Sequence, residues 1–365
     1  MSGDSELVAA VSKHRAHRPQ RVTAHGLLEV LGRFGLPLLL VVVVVLFSAL
    51  EPGSFGSWDT FKATFSTQST IIIVAFAAMM PLIVGEFDLS VGSNAGLASV
   101  LVVGLCVKSG VSPYVSFALV AVICTLIGMV NGLLVVGLKV NSFVATLGMA
   151  TVLEGVAMWY TGQDVITGAP TSLTDIARNS AGPLPVNLVY ALVLGAILMF
   201  VLQFSGVGRK LTAVGANRRA AQLTGIRTDR YIVAAFAVSG LLAGLAGALL
   251  GAAIGTVQAG LGSAFLLPAF AAVFLGATSF TPGRFNVPGT VVAVLLLAFT
   301  VSGLVIVGVE PWIQPVVNGA GLIVAVALSS WALRARTSRL RRQQLQLIAR
   351  QDRSALRPTP VSDAS

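Results

Sequence analysis

The sequence predicts an all-α, polytopic integral membrane protein with about ten transmembrane helices and both termini in the cytoplasm. Hydrophobic residues make up 55% of the 365 residues and charged residues only 10%, whereas soluble globular domains carry roughly 25% charged residues. The apolar residues form long runs, such as residues 36–50. Runs of this kind suit helical spans of about 20 residues and not the alternating strands of an outer-membrane barrel. The basic residues collect in three clusters outside these runs.

The apolar runs and the turn residues between them define the predicted elements. Glu51, Pro52 and Gly53 end the first span, for example. The ten predicted spans are residues 34–50, 61–84, 88–108, 113–138, 143–160, 188–204, 231–255, 265–280, 287–309 and 312–333. The predicted organisation is a polar N-terminal tail (1–33), a membrane domain (34–333) with an external loop (161–187) and a cytoplasmic loop (205–230), and a basic C-terminal tail (334–365).

Positive charge sets the predicted orientation. Nineteen of the 24 Lys and Arg residues lie in the two tails and the 205–230 loop. An even number of spans puts these clusters on one side, and the positive-inside rule makes that side cytoplasmic. The net charge of +10 therefore reports topology, and we expect no nucleic-acid partner. Residues 334–353 also carry aliphatic side chains among the arginines, a pattern typical of a helix lying on membrane lipid.

Several kinds of chemistry lack the residues that they require. His14, His17 and His25 all lie in the N-terminal tail, so the spans contain no His for a zinc site, a triad or a proton relay. A nucleotide-binding P-loop needs Gly-Lys-Ser/Thr, but none of the five lysines follows a Gly. Cys106 and Cys124 stand apart in apolar runs, as small hydrophobic side chains do. We expect no enzyme activity, no metal site and no cofactor in this chain.

Three carboxylates lie within or beside the spans, and a charge in hydrocarbon is a functional hypothesis by default. Asp88 begins the pattern Asp-Leu-Ser-Val-Gly, so Asp88 or Ser90 is favoured as a cap for the following helix. Glu86 lies beside it, where Gly85 and Gly92 interrupt the apolar run. The interruption is either a membrane-depth break or an ordinary cytoplasmic turn. Glu154 lies well inside the fifth span, and a polar partner for it is favoured over a proton or substrate role.

Glycines form a ladder in the seventh span. Gly240, Gly244, Gly247, Gly251 and Gly255 are spaced by three or four residues and share one helix face. Missing side chains allow close approach of another helix. We expect close packing within the chain, in preference to a dimer interface.

Several segments in order along the chain resemble one known family. Asp-Leu-Ser-Val-Gly at residues 88–92 and Gly-x-Asn-x-x-Ala-Ala-x-x-x-Gly-Ile at residues 215–226 are the most specific in combination. Residues 141–148, 160–162 and 274–279 support them. This set resembles the permease family of bacterial ABC importers for monosaccharides, the ribose/xylose type. The sequence departs from it where many members have Gly-Gly-Ile-Asp and this chain has Gly85-Glu-Phe-Asp88, and where Glu154 replaces an Arg.

The resemblance implies a permease subunit that carries a small polar solute, with a monosaccharide as the expected cargo, into the cell across the bacterial cytoplasmic membrane. The implied partners are an ATP-binding subunit that holds ATP and Mg²⁺, a second permease copy or a homologue, and an extracytoplasmic solute-binding protein. Residues 217–224 are predicted to form a short cytoplasmic helix that Gly225 ends. In the family this region couples to the ATPase. The implied coupling residues are Gly215, Asn217, Arg218, Arg219, Ala220, Ala221, Leu223, Gly225 and Ile226.

Polar residues at the predicted break and on neighbouring spans are candidates for the translocation path. Small polar side chains suit a hydroxyl-rich solute, although each one could also bridge two helices. The candidate path residues are Gly85, Glu86, Phe87, Asp88, Ser90, Ser93, Asn94, Asn141, Thr146 and Glu154, with Asn131 considered beside them.

Two alternatives stay open from the sequence. A branched-chain amino-acid permease of the same importer class would share the coupling loop but would need groups complementary to the charged ends of its cargo. An ion-coupled secondary transporter would need intramembrane ionisable groups, for which Glu154, Glu86 and Asp88 are a small set.

Overall fold

A computed structural model describes the backbone of residues 22–327 and the side chains of residues 33–327. Most of the predicted N-terminal tail and all of the C-terminal tail lie outside these residues, as does the predicted lipid-surface helix. Within them, helices alternate with short connections, and one two-residue strand pair joins Ser180–Ala181 (β1) to Leu184–Pro185 (β2). The helices are α1 (Val22–Leu50), α2 (Trp58–Ile83), α3 (Val91–Ser109), α4 (Pro113–Gly137), α5 (Ser142–Thr161), α6 (Thr171–Arg178), α7 (Val186–Phe204), α8 (Gly206–Ala216), α9 (Arg218–Leu223), α10 (Thr228–Ile254), α11 (Leu266–Gly276), α12 (Val287–Ile306) and α13 (Ile313–Ala327).

The predicted all-α membrane fold is confirmed. Eight of the described helices are long and apolar enough to cross a membrane. Two shorter apolar helices, Ser263–Gly276 and Ile313–Ala327, occupy the predicted eighth and tenth spans. The first of these includes a 3₁₀ turn at Ser263–Phe265 before α11. The described part of the chain thus has an apolar helix at each of the ten predicted positions.

Contacts between loops divide the molecule into two opposite ends. At one end, the amide N–H of Phe280 donates to the carbonyl of Arg33 at 2.9 Å. At the other end, residues 166 and 257 pair through their backbones, and the Arg178 guanidinium donates to the carbonyl of Ala253 at 2.8 Å. These two groups of loops are the ones that the charge distribution predicts as cytoplasmic and external, respectively. The 161–187 loop, which the sequence predicts to be external, contains regular secondary structure, namely α6 and the β1–β2 pair.

Helix α10 is the centre of the bundle and packs against α4, α3 and α2. A Cβ added at Gly240 would lie 3.1 Å from Cα of Gly128 on α4, and one at Gly251 would lie 2.7 Å from the Ser99 carbonyl oxygen on α3. Gly244 and Gly247 meet α4 and α3 just as closely. The predicted close packing of the glycine ladder within the chain is therefore confirmed.

Two non-helical segments lie within the bundle, and the second one contacts the helix that follows the first. The first joins α2 to α3 through residues 84–90, and the second descends from the external end to α11 through residues 255–262. A Cβ at Gly92 would lie 2.8 Å from the carbonyl oxygen of Gly262, and one at Gly96 would lie 2.9 Å from the Gly262 amide nitrogen. Only glycines allow backbones to approach so closely. The starts of α3 and α11 are consequently neighbours within the bundle.

Candidate functional site

The break between α2 and α3 runs along α5. Gly85 has a φ of +85°, a conformation that favours glycine, and the chain then continues without helical bonds to Ser90. The Phe87 N–H donates to the Ser142 hydroxyl at 3.2 Å, and the Leu89 N–H donates to the Thr146 hydroxyl at 3.0 Å. Ser142 and Thr146 are one turn apart, roughly 6 Å along α5. The break therefore rises into the bundle beside α5, as irregular backbone does only where protein or a cavity surrounds it.

Asp88 is buried at the top of this break, with 2% of its surface exposed. One carboxylate oxygen accepts the Ser90 N–H at 3.0 Å and the Ser90 hydroxyl at 2.6 Å. The other accepts the Ser239 hydroxyl on α10 at 2.9 Å. The Asn131 side-chain amide on α4 donates to the Ser90 hydroxyl at 2.8 Å. Ser90 is the N-cap residue of α3, and no side chain caps the first N–H groups of that helix, so the capping role that the sequence favours for Asp88 or Ser90 is not observed. Asp88 instead bonds to Ser90 itself, and this network fastens the start of α3 to α4 and α10.

Other candidate path residues also join helices. The Asn94 amide donates to the Cys124 carbonyl at 3.4 Å, and the Ser93 hydroxyl donates to Glu154 at 3.2 Å. Asn141 caps α5 by accepting the Phe143 N–H at 2.9 Å. Asp88, Ser90, Ser93, Asn94, Asn131 and Thr146 are buried in this conformation, whereas Gly85, Phe87 and Asn141 are exposed and Glu86 and Glu154 are half-buried. Their contact with a solute stays a prediction.

The short helix predicted within residues 217–224 forms at Arg218–Leu223. Asn217 accepts the Ala220 N–H at 3.0 Å and begins α9, and Gly225, with a φ of +82°, follows its end. The apolar residues of this segment differ in exposure, however. Ala221 is buried against the membrane helices and Ile226 is half-buried, whereas Leu223 projects with 85% of its surface exposed. Arg219 and Ala220 are exposed beside it.

The segment α8–α9 is attached to the break. Gly215 of α8 lies against the end of α2, because a Cβ at Gly215 would be 2.9 Å from the Ile83 carbonyl carbon and 3.2 Å from Cα of Val84. Arg218 extends its guanidinium to Glu86 at 3.6 Å and to Asp229 at 2.9 Å. Backbone packing and an ion pair therefore connect α8–α9 to residues 83–86.

A polar cavity of about 310 Å³ lies at the predicted external side, between α2, α11, α12 and α13. Sequence reasoning missed it. Helix α2 contributes Thr60, Thr64, Thr67 and Gln68, whereas α12 and α13 contribute Ser302, Gln314 and Asn318. The sequence did contain a signal for the part of the lining that α2 supplies, because the polar residues 60, 64, 67 and 68 are spaced so that they share one face of a helix. Nothing in the sequence indicates that this face of α2 lies next to α13.

The chain is similar to known transport proteins along most of its length. The family described as "Branched-chain amino acid transport system / permease component" matches residues 61–326. The "Ribose import permease protein RbsC" of Bacillus subtilis (strain 168) is 35% identical over 311 residues, 85% of this chain and 95% of that protein. The "Autoinducer 2 import system permease protein LsrD" of Escherichia coli (strain K12) is 33% identical over 303 residues, 81% of this chain and 91% of that protein, and the LsrD of Shigella flexneri matches to the same extent.

No solved structure matches the chain significantly. The family match and the relatives confirm the resemblance to permeases of bacterial ABC importers, and with the apolar helices they identify a multi-pass protein of the cytoplasmic membrane. The chain belongs to the family of transport-system permease components.

Proposed function

We propose that this chain forms the membrane path of an ATP-driven importer for a neutral, hydroxyl-rich solute, with a monosaccharide as its cargo. The observation that carries the proposal is the attachment of α8–α9 to the break, through Gly215 on Ile83 and Arg218 on Glu86. A protein that pushes on α9 from the cytoplasm would move an irregular segment that runs beside α5 into the bundle. That is the connection an importer needs between an external energy source and its path.

The expected energy source is a separate ATP-binding subunit that holds ATP and Mg²⁺. Leu223 is the favoured anchor for it, because an aliphatic side chain with 85% of its surface exposed on a cytoplasmic helix suits a partner's groove. Arg219 supplies a neighbouring charge for acidic groups on that subunit. A second permease copy or a homologue would complete the path, and an extracytoplasmic binding protein would deliver the solute. The chain itself would perform no covalent chemistry.

The sugar cargo is supported over the two alternatives. The family description names branched-chain amino acids, but the relatives that cover most of the chain are named for ribose and autoinducer 2. An amino acid would require groups for its two charged ends, whereas Asp88 is already bonded to Ser90 and Ser239. An ion-coupled transporter would rely on Glu154, but Glu154 accepts a hydrogen bond from Ser93. The relatives of this chain are also named as permeases of import systems.

In this mechanism the path opens to one side at a time. Nucleotide binding would draw two ATPase subunits together, and each would displace the α9 helix that it holds. The displacement would reach residues 83–86 and shift the start of α3 relative to α5. A ligand drives such a change only by binding one of the two conformations more tightly.

The test uses Leu223→Glu, with Val207→Glu as its matched control. Both residues are exposed apolar side chains of the 205–230 segment, but Val207 lies at the start of α8, away from α9. The permease would be reconstituted in proteoliposomes with its ATPase and binding protein, and D-ribose uptake and ATP hydrolysis would be measured. We expect Leu223→Glu to lower ATP-driven uptake at least tenfold while Val207→Glu stays within twofold of wild type. Uptake by Leu223→Glu at the control's rate would contradict the docking role, and uptake without ATPase would contradict the proposed function.

A further inference from the structure

The polar cavity between α2, α11, α12 and α13 lies apart from the break and from every residue that the sequence predicts for the path. It sits towards the helix ends that face the external loops, because Thr60 is in the first turn of α2, Ser302 is near the end of α12 and Gln314 is in the first turn of α13. We propose that this cavity is a binding site for one molecule of a neutral polyhydroxylated solute, present in each permease copy. The proposal takes only the solute class from the proposed function.

Half of the residues that line the cavity are polar, and none of them is charged. No Asp, Glu, Lys, Arg or His is among the fourteen residues that line it. Polar groups at membrane depth are costly, and they usually mark a substrate pathway or a contact between helices. A charged solute would require an opposite charge among the residues that line its site. The cavity therefore favours a neutral solute and disfavours an amino acid or a phosphate ester.

The polar groups offer both kinds of hydrogen bond that a hydroxyl group can make. The hydroxyls of Thr64 and Thr67 donate to the carbonyls of Thr60 and Ala63 at 2.8 and 2.9 Å, which leaves their oxygens to accept hydrogen bonds. The side-chain amides of Gln68 and Asn318 each supply two N–H donors and one acceptor oxygen. Among the described residues, these amides form no hydrogen bond with one another or with a neighbour. A hydroxyl-rich ligand satisfies such a mixture of donors and acceptors.

Most of the residues that α12 contributes to the lining are apolar. Val294, Leu297 and Val301 from α12 line the cavity together with the threonines of α2. Monosaccharides present C–H groups as well as hydroxyls, so a site with both polar and aliphatic lining residues matches them better than a uniformly polar site would. A volume of about 310 Å³ is at the lower end of the range for ligand pockets, roughly 300–1,000 Å³, and suits one small solute.

Helix α11 connects the cavity to the break. Pro268 lines the inner end of the cavity, and two residues later Phe270 stacks on Phe87 of the break with ring centroids 6.4 Å apart. The loop that leads into α11 also contacts the start of α3 through Gly262 and Gly92. A solute in the cavity would thus contact α11 two residues away from the ring that stacks on the break.

The test places a single reactive thiol in the cavity. Thr67→Cys puts a thiol at an exposed lining position, and the two native cysteines are buried. Purified full-length permease in nanodiscs would be treated with a membrane-impermeant cationic methanethiosulfonate, with and without 20 mM D-ribose, D-xylose, D-galactose or L-leucine. Ser54→Cys in the exposed external loop is the control. We expect at least one of the sugars to slow modification of Thr67→Cys at least threefold and L-leucine to leave it unchanged, with Ser54→Cys unaffected by either.

Three results would overturn the proposal. They are a Thr67→Cys thiol that the reagent never modifies, equal modification rates with and without all three sugars, and protection by L-leucine alone. A second variant, Ala63→Phe, narrows the cavity from an exposed position on α2 and is expected to lower ATP-driven uptake at least tenfold. If wild-type permease shows no ATP-driven uptake, the proposed function fails. If wild type imports sugar and Ala63→Phe imports it equally well, only the cavity proposal fails.

Discussion

Gly215→Ala is the sharpest perturbation of the contact between α8 and the break. The added Cβ would lie 2.9 Å from the Ile83 carbonyl carbon and nearer still to its oxygen. Carbon–carbon contacts become favourable at roughly 3.5 Å, so α8 has to retreat from α2 by at least about 0.6 Å. The pair between Arg218 and Glu86, already 3.6 Å long, then lengthens beyond about 4 Å and weakens.

The expected change in the free energy of unfolding has two opposing parts. Overpacking against backbone that cannot rotate away costs about 1–3 kcal/mol. Replacing a glycine inside a helix by alanine returns up to about 1 kcal/mol through helix propensity. Gly206→Ala on the same helix isolates the first part, because the nearest atom to its added Cβ is the flexible Arg209 guanidinium at 3.9 Å. The difference between the two variants is therefore about 1–3 kcal/mol in the free energy of unfolding.

Two measurements follow for this pair of variants. The apparent melting temperature of purified Gly215→Ala should fall a few degrees below that of Gly206→Ala, since about 1 kcal/mol shifts a chain of this size by no more than about 2–4 °C. ATP-driven D-ribose uptake should fall several-fold, because the displaced α8 transmits less of the movement of α9. Equal melting temperatures and equal uptake for both variants would refute the inferred contact between Gly215 and Ile83.

Two further predictions concern the bundle. Ser239→Ala removes a hydrogen bond to the buried carboxylate of Asp88 and should cost about 1.5–3 kcal/mol; a melting temperature no lower than that of Ser66→Ala would contradict this role. Gly247→Val adds a Cβ 2.7 Å from Cβ of Ala98 and against the backbone of α3, so it should abolish the monodisperse peak in size-exclusion chromatography. Gly155→Val, whose added Cβ meets no atom within 4 Å, should keep that peak. Matching profiles for the two valine variants would show that the ladder does not pack as described.

Local signals in the sequence predict much of the cytoplasmic helix and of the break. Asn217 and Gly225 bound α9 because a cap and a left-handed residue act within one turn of the chain. The hydrogen bond from the Ser90 N–H to Asp88 is equally local, since it spans two residues. The face of α9 that meets the bundle was not predictable in this way, and Ala221 proved buried while Leu223 proved exposed. Both are apolar residues in one short helix, and only the position of α10 beneath it separates them.

The sequence alone predicts the approximate positions of the apolar helices and the family, and it contains no P-loop motif. The physical reason is that each span must satisfy its own backbone hydrogen bonds in lipid, so about 20 apolar residues suffice to mark it. The contact between Gly215 and Ile83, and the cavity that Gln68 and Asn318 both line, are seen only in the tertiary structure. Lipid and protein interior are equally apolar, so hydropathy along a span carries little information about which face meets another helix. Contacts between residues so distant in sequence arise only when the whole bundle packs.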